Sequence, residues 1–259
     1  MQSREARQPF IYVATGMTGV GKSYQTENEI RLYVHASMQT GREPRKALIF
    51  DTNDEYQQYK TVAYDVTQES PSIAGKYLAM LQQPEIRRIA PFAKDKNGAR
   101  IMTFNEKERT IVNIMSNFRD GLVLLEDPNT YMIGAKSVDT ISMLCANRHK
   151  GIDLIMHFQS LSALDPRMWQ NTTIVRMHYQ SDDIVRYRGR IPNFELMKIA
   201  QNIVSSEYLS ENKRFFVYVN IRSQKIIGCT IDQYKAGVQR YIEDYEPTNG
   251  LVTKPYIYL

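Results

Sequence analysis

The stretch Gly16-Met17-Thr18-Gly19-Val20-Gly21-Lys22-Ser23 matches the pattern G-x-x-x-x-G-K-[ST] without a gap. Glycines in such a loop let backbone N–H groups turn inward around phosphate oxygens. A helix starting near Lys22 aims its positive dipole end at the same anion. The pattern makes Gly16, Thr18, Gly19, Val20 and Gly21 the backbone cradle of a nucleotide such as ATP. Lys22 then reaches the β- and γ-phosphates, and Ser23 ligates Mg²⁺. The confirming context is a strand before the loop and a helix after it. Residues Phe10 to Ala14 are apolar and strand-like, and the residues after Lys22 read as a helix ended by Gly41 and Pro44.

Working outward, apolar strands alternate with helical segments. Strands are expected at Ala47 to Phe50, Ile86 to Phe92, Leu122 to Leu125, Ile152 to Phe158 and Ile174 to Met177. Helices are expected at Ser72 to Gln83, Asn105 to Phe118, Val138 to Arg148, Phe194 to Tyr208 and Gln233 to Glu243. Phe215 to Val219 and Lys225 to Ile231 read as a terminal hairpin. The alternation predicts an α/β fold: a mainly parallel sheet with helices on both faces and ligands at the carboxyl ends of its strands. The expected organisation is an arm over residues 1–9, one domain over 10–245, and a second arm over 246–259.

The composition bounds the rest. The chain has 259 residues, 42% hydrophobic and 24% charged, enough for a sizeable core. Its net charge of +5 permits a polyanionic partner without requiring one. Cys145 and Cys229 have no metal-ligand spacing and read as buried thiols in a reducing compartment. The four histidines offer no zinc pattern. No stretch approaches the ~18 apolar residues of a membrane span, and the expected location is the cytoplasm.

Hydrolysis of a nucleoside triphosphate needs a second carboxylate near the metal and a group that orients water. Leu122-Val123-Leu124-Leu125-Glu126-Asp127 supplies two acids at the end of an apolar strand. By position Glu126 faces Mg²⁺ through water and Asp127 polarises the attacking water; the exchanged assignment is also open. The common order in additional-strand ATPases is Asp then Glu, the reverse of what stands here.

Two further stretches resemble one superfamily. Ala47-Leu48-Ile49-Phe50-Asp51-Thr52-Asn53-Asp54-Glu55-Tyr56 is similar to the second-strand signature D-x-x-G-E-Y of HerA/FtsK ATPases, with Asp54 in place of the glycine and an altered turn expected there. Arg148-His149-Lys150-Gly151-Ile152-Asp153-Leu154-Ile155-Met156-His157-Phe158-Gln159 is similar to that group's strand ending in glutamine. The resemblance covers roughly Phe10 to Met177, and the order of motifs agrees throughout. Within the superfamily, the compact length looks like the genome-packaging ATPases of icosahedral, membrane-containing viruses and phages.

The resemblance implies an additional-strand (RecA-like) fold and a ring, usually a hexamer, that moves double-stranded DNA through its centre. It implies a γ-phosphate sensor at Gln159 and an arginine that completes a neighbour's site, with Arg148 the first choice and Arg176 the second. A capsid vertex or portal protein would be a further partner. Lys94, Lys96 and Arg100 around Gly98, in what reads as an exposed basic turn, are the preferred DNA contacts; Lys136 and the cluster Arg186, Arg188 and Arg190 are others. Three other readings stand beside the motor. One is an assembly or secretion ATPase resembling the zonula-occludens-toxin group. Another is a P-loop kinase with the Arg186 to Arg190 cluster as a lid. The last is a nucleotide switch with little turnover.

Overall fold

The computed structural model describes residues 8–35, 43–62, 81, 84–95, 98–132, 142 and 144–249. Among them runs a sheet of nine strands. Its centre is β1 (Ile11–Thr15), β2 (Lys46–Phe50), β7 (Gly121–Leu125), β8 (Ile152–Phe158) and β9 (Thr172–His178). The spatial order is β9-β1-β8-β7-β2, all parallel. The strand that carries the phosphate loop is thus separated from the acidic strand β7 by β8, the feature that defines the additional-strand arrangement. Beyond β2 lie β4 (Ile86–Ile89) and the short β3 (Lys60–Thr61). Beyond β9, β10 (Phe216–Asn220) and β11 (Lys225–Ile227) add the expected hairpin in antiparallel register.

The strands of β1, β2 and β7 are buried along their whole length. That is why they read as continuous apolar runs rather than alternating ones. The two faces carry separate cores. Helix α1 (Lys22–Val34) covers one face, packing Ile30, Tyr33 and Val34 on Tyr12, Ile49, Leu124 and Ile155. On the other face, α2 (Phe104–Asn117) and α4 (Phe194–Leu209) contribute Ile111, Ile114, Met197 and Ile203 to a larger cluster with Val13, Leu48, Val123 and Met156. Helix α5 (Ile231–Asn249) packs against α4. Where it passes, a Cβ on Gly237 would stand 2.6 Å from Ile203 Cγ1, so a side chain there would force the helices apart.

Local chemistry explains most boundaries. Thr103 caps α2, and Glu106 closes a reciprocal capping box with it. Short α3 (Pro166–Asn171), absent from the sequence reading, starts with an Asp165 cap and a proline in its first turn.

Several expectations need correction. The single strand over Ile86 to Phe92 is split at Pro91: β4 stays in the main sheet, while β5 (Phe92–Asp95) pairs antiparallel with β6 (Gly98–Ile101). Proline cannot donate to a ladder, so the chain leaves the sheet there. The basic turn around Gly98 is therefore a hairpin. Helix α1 stops at Val34, where His35 takes extended backbone, short of Gly41. The helix over Ser72 to Gln83 falls almost wholly outside the described residues. Of the helix over Val138 to Arg148, residues 142, 144 and 145 are helical, and Ala146–Lys150 tightens into a 3₁₀ turn. Helix α5 continues to Asn249, so the first residues assigned to a C-terminal arm are helical. Cys145 and Cys229 are unpaired thiols, half-buried rather than buried. Among the described residues no helix is long and apolar enough to cross a membrane.

Candidate nucleotide site

The phosphate loop leaves β1 at its carboxyl end. Gly16 has φ 146°, and a Cβ there would lie 2.7 Å from His178 Cβ, so only glycine lets the loop pass under the end of β9. Met17 N–H donates to Tyr179 O at 2.8 Å, tying the loop to the residue that follows β9. Gly21, at φ 89°, is the N-cap of α1 and brings the helix's free N–H groups to the loop. Lys22 Nζ folds back to donate to Gly16 O at 2.5 Å and Met17 O at 2.8 Å. Burial lowers its pKa, and Asp127 and Glu55 oppose that shift.

Around this loop lies a cavity of about 600 Å³, a size suited to a nucleotide. Thr18, Gly19, Gly21, Lys22 and Ser23 line one wall; Glu126, Asp127, His157 and Gln159 line another; Glu55 and Arg214 complete it. The structure thus brings together the cradle, both acids and the glutamine that the sequence singled out.

Two strand ends, those of β2 and β7, supply the acids of the wall. Ser23 Oγ donates to Glu55 Oε2 at 2.8 Å. Glu55 is held by a turn in which Asp51 accepts from Glu55 N and Tyr56 N at 2.9 and 3.0 Å. Asp54 takes φ 58°, the left-handed backbone that glycine favours. Arg88 bridges Asp54 and Asp51 at 2.5 and 2.7 Å. Asp54 thus adopts backbone suited to glycine, and Arg88 ties it to Asp51.

Glu126 is 2% exposed, and its Oε2 has no hydrogen-bond partner. Burial first, then Glu55 and Asp51, raise its carboxyl to about 8. Asp127 has φ 42° and turns into the cavity beside Lys22. Its pKa is raised by burial and held back by Lys22 and by Gln159, whose side chain lies within hydrogen-bonding reach.

These groups fit a magnesium ion bound with nucleotide. Mg²⁺ takes one or two carboxylates plus substrate phosphates rather than a full protein cage. Accordingly, no cluster of three or more metal-ligating side chains exists among the described residues. The orphaned Glu126 oxygen and the Ser23 hydroxyl are the donors such an ion would use.

Behind the acids runs a buried polar network that the sequence reading missed. His157 Nε2 meets Thr26 Oγ1 at 2.7 Å, and its Nδ1 stands 3.7 Å from Glu126 Oε1. Arg176, completely buried, donates to Thr26 Oγ1 at 2.5 Å and to Lys22 O at 2.9 Å. It also pairs with Glu29 at 2.8 Å, and Glu29 accepts from Tyr12 and Tyr218. Only the alternation along β8, which puts Asp153, Ile155 and His157 on the α1 side, hints at it.

Arg176 is thus spoken for inside its own subunit, and the expectation that it reaches into a neighbour's site is corrected. Arg148 is exposed in the 3₁₀ turn just before β8. It stands at the amino end of the strand whose carboxyl end leads to Gln159, ~20 Å away along seven residues.

Of the preferred DNA contacts, Arg100 is the one whose side chain is described. Arg100 makes a bidentate pair with Glu106, both contacts at 2.7 Å. Lys94 falls within β5 rather than in a turn, and Lys96 and Lys136 lie outside the described residues. Arg186, Arg188 and Arg190 are exposed in a 3₁₀ segment, Ile184–Arg190.

No family model matches the chain, and no curated protein matches it in sequence. Solved structures do match its fold. The DNA-packaging ATPase B204 of Sulfolobus turreted icosahedral virus superposes with a TM-score of 0.53 at 18% identity, over 85% of this chain and 97% of that one. The genome-packaging NTPase B204 of Sulfolobus turreted icosahedral virus 2, in complex with sulfate, gives 0.50 at 16% identity, over 84% and 94%. The N-terminal domain of zonular occludens toxin from Neisseria meningitidis gives 0.35 at 14% identity, over 66% and 76%. The chain therefore has the α/β RecA-like P-loop NTPase fold that the resemblance implied.

Proposed function

We propose that this protein is a magnesium-dependent ATPase that works as a ring, most fittingly a hexamer, to translocate double-stranded DNA and package a viral genome. The observation that carries the ATPase part is the convergence of Lys22, Ser23, Glu126, Asp127 and Gln159 on one cavity at the carboxyl ends of β1, β7 and β8. The packaging part is supported by the fold shared with B204 over nearly that protein's whole length.

The chain's own groups divide the work. Lys22 leaves the loop carbonyls to neutralise the β- and γ-phosphate oxygens. The glycine-lined N–H groups and the α1 dipole hold the same charge without reorganising. Asp127 accepts a hydrogen bond from the attacking water and aligns it with the γ-phosphorus. Gln159, beside Asp127, senses whether a γ-phosphate is present. Glu126 and Ser23 would hold Mg²⁺, whose chemistry is to spread the charge that builds on the β–γ bridge and γ-oxygens.

Arg148 stands at the opposite end of β8 from its own cavity, so a nucleotide phosphate it contacts would be another subunit's; in a head-to-tail ring it supplies the trans charge. Arg186, Arg188 and Arg190 form the exposed basic segment best placed to grip DNA phosphates without reading bases. A capsid vertex or portal protein would dock the ring. The cytoplasm is where this work would be done.

The test is the ATP hydrolysis rate with and without long double-stranded DNA across a salt series. The motor predicts stimulation that fades as salt rises, and loss of turnover in Lys22→Ala. Turnover indifferent to DNA at every salt would favour an assembly or secretion ATPase. Normal turnover by Lys22→Ala would overturn the site.

A further inference from the structure

One wall of the cavity has no role in the chemistry above. The acids and Gln159 come from β7 and β8, on one side of β1. Arg214 enters from the other side, on the connection between α4 and β10. Its aliphatic stem packs on the α1 N-cap: a Cβ on Gly21 would meet Arg214 Cγ at 3.7 Å and Cδ at 3.8 Å. Among the described residues no carboxylate pairs with it.

The connection is firmly placed. Asn212 N–H donates to Glu207 O, and Phe215 N–H to Asn212 O. Tyr208 stacks on Tyr179 with ring centres 3.8 Å apart, and Lys213 lies over Tyr208. Tyr179 is the residue whose carbonyl holds Met17 of the phosphate loop, so Arg214 and the loop share one support. Tyr24, on the first turn of α1, lines the same cavity with 65% of its surface exposed. A large aromatic side chain so open to solvent at a cavity wall suits stacking on a flat ligand.

We propose that Arg214 and Tyr24 form the nucleoside end of the site, the guanidinium on the α-phosphate and the ring against the base. The inference rests on the nucleotide reading of the phosphate loop. A triphosphate whose γ end lies at Lys22, Asp127 and Gln159 runs its α end across the α1 N-terminus, toward β9 and β10. That is the flank Arg214 occupies, and an arginine with no acidic partner among the described residues meets an anion there within reach of its fork.

Calorimetric titrations of the full chain with ATP, ADP and inorganic triphosphate test this. Arg214→Ala should weaken ATP and ADP alike, by ~10- to 100-fold, the range of one charged hydrogen bond. Arg214→Lys should recover part of the loss. Tyr24→Ala should weaken ATP several-fold and leave inorganic triphosphate unchanged, while Tyr24→Phe binds as wild type. Weakening of ATP alone by Arg214→Ala would move the arginine to the γ end and overturn the assignment. Wild-type affinities in both alanine variants, with Lys22→Ala still defective, would overturn this inference and leave the ATPase standing. Failure of the wild-type protein to bind any nucleotide would remove both.

Discussion

His157 is wedged between Thr26 and Glu126, its Nε2 2.7 Å from the threonine hydroxyl and its Nδ1 3.7 Å from the carboxylate. Thr26 Oγ1 accepts from Arg176, and its own hydroxyl proton is free to point to Nε2. When the threonine donates to Nε2, the neutral imidazole carries its proton on Nδ1, facing Glu126. Burial, then the charge of Arg176, hold the His157 pKa well below its ordinary value and keep the ring neutral. His157→Phe keeps the bulk and removes the donor. It should lower kcat ~10-fold, the range found when a group that orients a metal ligand is lost, with KM for ATP little changed. Steady-state kinetics decide: a wild-type kcat would show that the ring only fills space.

The two acids at the end of β7 differ in surroundings, and their variants should differ in kind. Glu126 is buried against Glu55 and Asp51. Glu126→Gln relieves that crowding, so the nucleotide-free protein should gain ~1 kcal/mol in stability or more. The cost is a higher magnesium concentration needed for turnover. Asp127→Asn should leave nucleotide affinity largely intact and slow hydrolysis ~100-fold or more. Thermal melts, magnesium titrations and single-turnover rates on both variants check this. The reversed pattern would exchange the two roles.

Asp54 offers a measure of how one departure from a pattern was accommodated. Non-glycine backbone at φ 58° costs ~1 kcal/mol, and Arg88 holds it through the same guanidinium that balances fully buried Asp51. Arg88→Ala leaves Asp51 buried with its positive partner gone, and should destabilise the protein by ~3 kcal/mol. Asp54→Gly removes the strain and one contact together, so it should stay within ~1 kcal/mol of wild type. Denaturant midpoints of both variants test the account; equal losses in the two would show that the Asp54 contact, not the Asp51 pairing, is what matters.

The parts of this molecule legible in the sequence are those whose cause is local. The apolar strand, glycine loop and helix start occupy adjacent residues, and β7 and β8 each end in their functional groups. Helix α2 shows its period and its Thr103 cap directly. The His157, Thr26 and Arg176 network joins residues more than a hundred positions apart, each unremarkable among its neighbours. Arg214 follows a lysine in a turn and gives no signal until α4 and β10 carry it to Gly21. The surroundings of the basic turn were hidden for a different reason. Its charges were visible, but the acid that engages Arg100 lies in the capping box of the next helix.

That engagement separates structure from DNA binding. Arg100 and the Thr103 groups hold the Glu106 carboxyl at about 2, below its ordinary 4.5. A depressed carboxylate stabilises the folded state above the unfolded pKa, and the contribution is lost as pH falls from about 4.5 through about 2. Arg100→Ala should cost ~1 kcal/mol at neutral pH, and less toward pH 2, where wild type and variant converge. It should leave the salt dependence of DNA binding unchanged. Replacing Arg186, Arg188 and Arg190 together should do the opposite: stability nearly unaltered, since the one ion pair they form among the described residues is Arg188–Glu195, at 3.5 Å and exposed, and a shallower slope of log affinity against log salt. Each phosphate contact removed takes ~0.9 from that slope on duplex DNA. A slope that responds to Arg100 and not to the triple variant would place the grip on the hairpin instead.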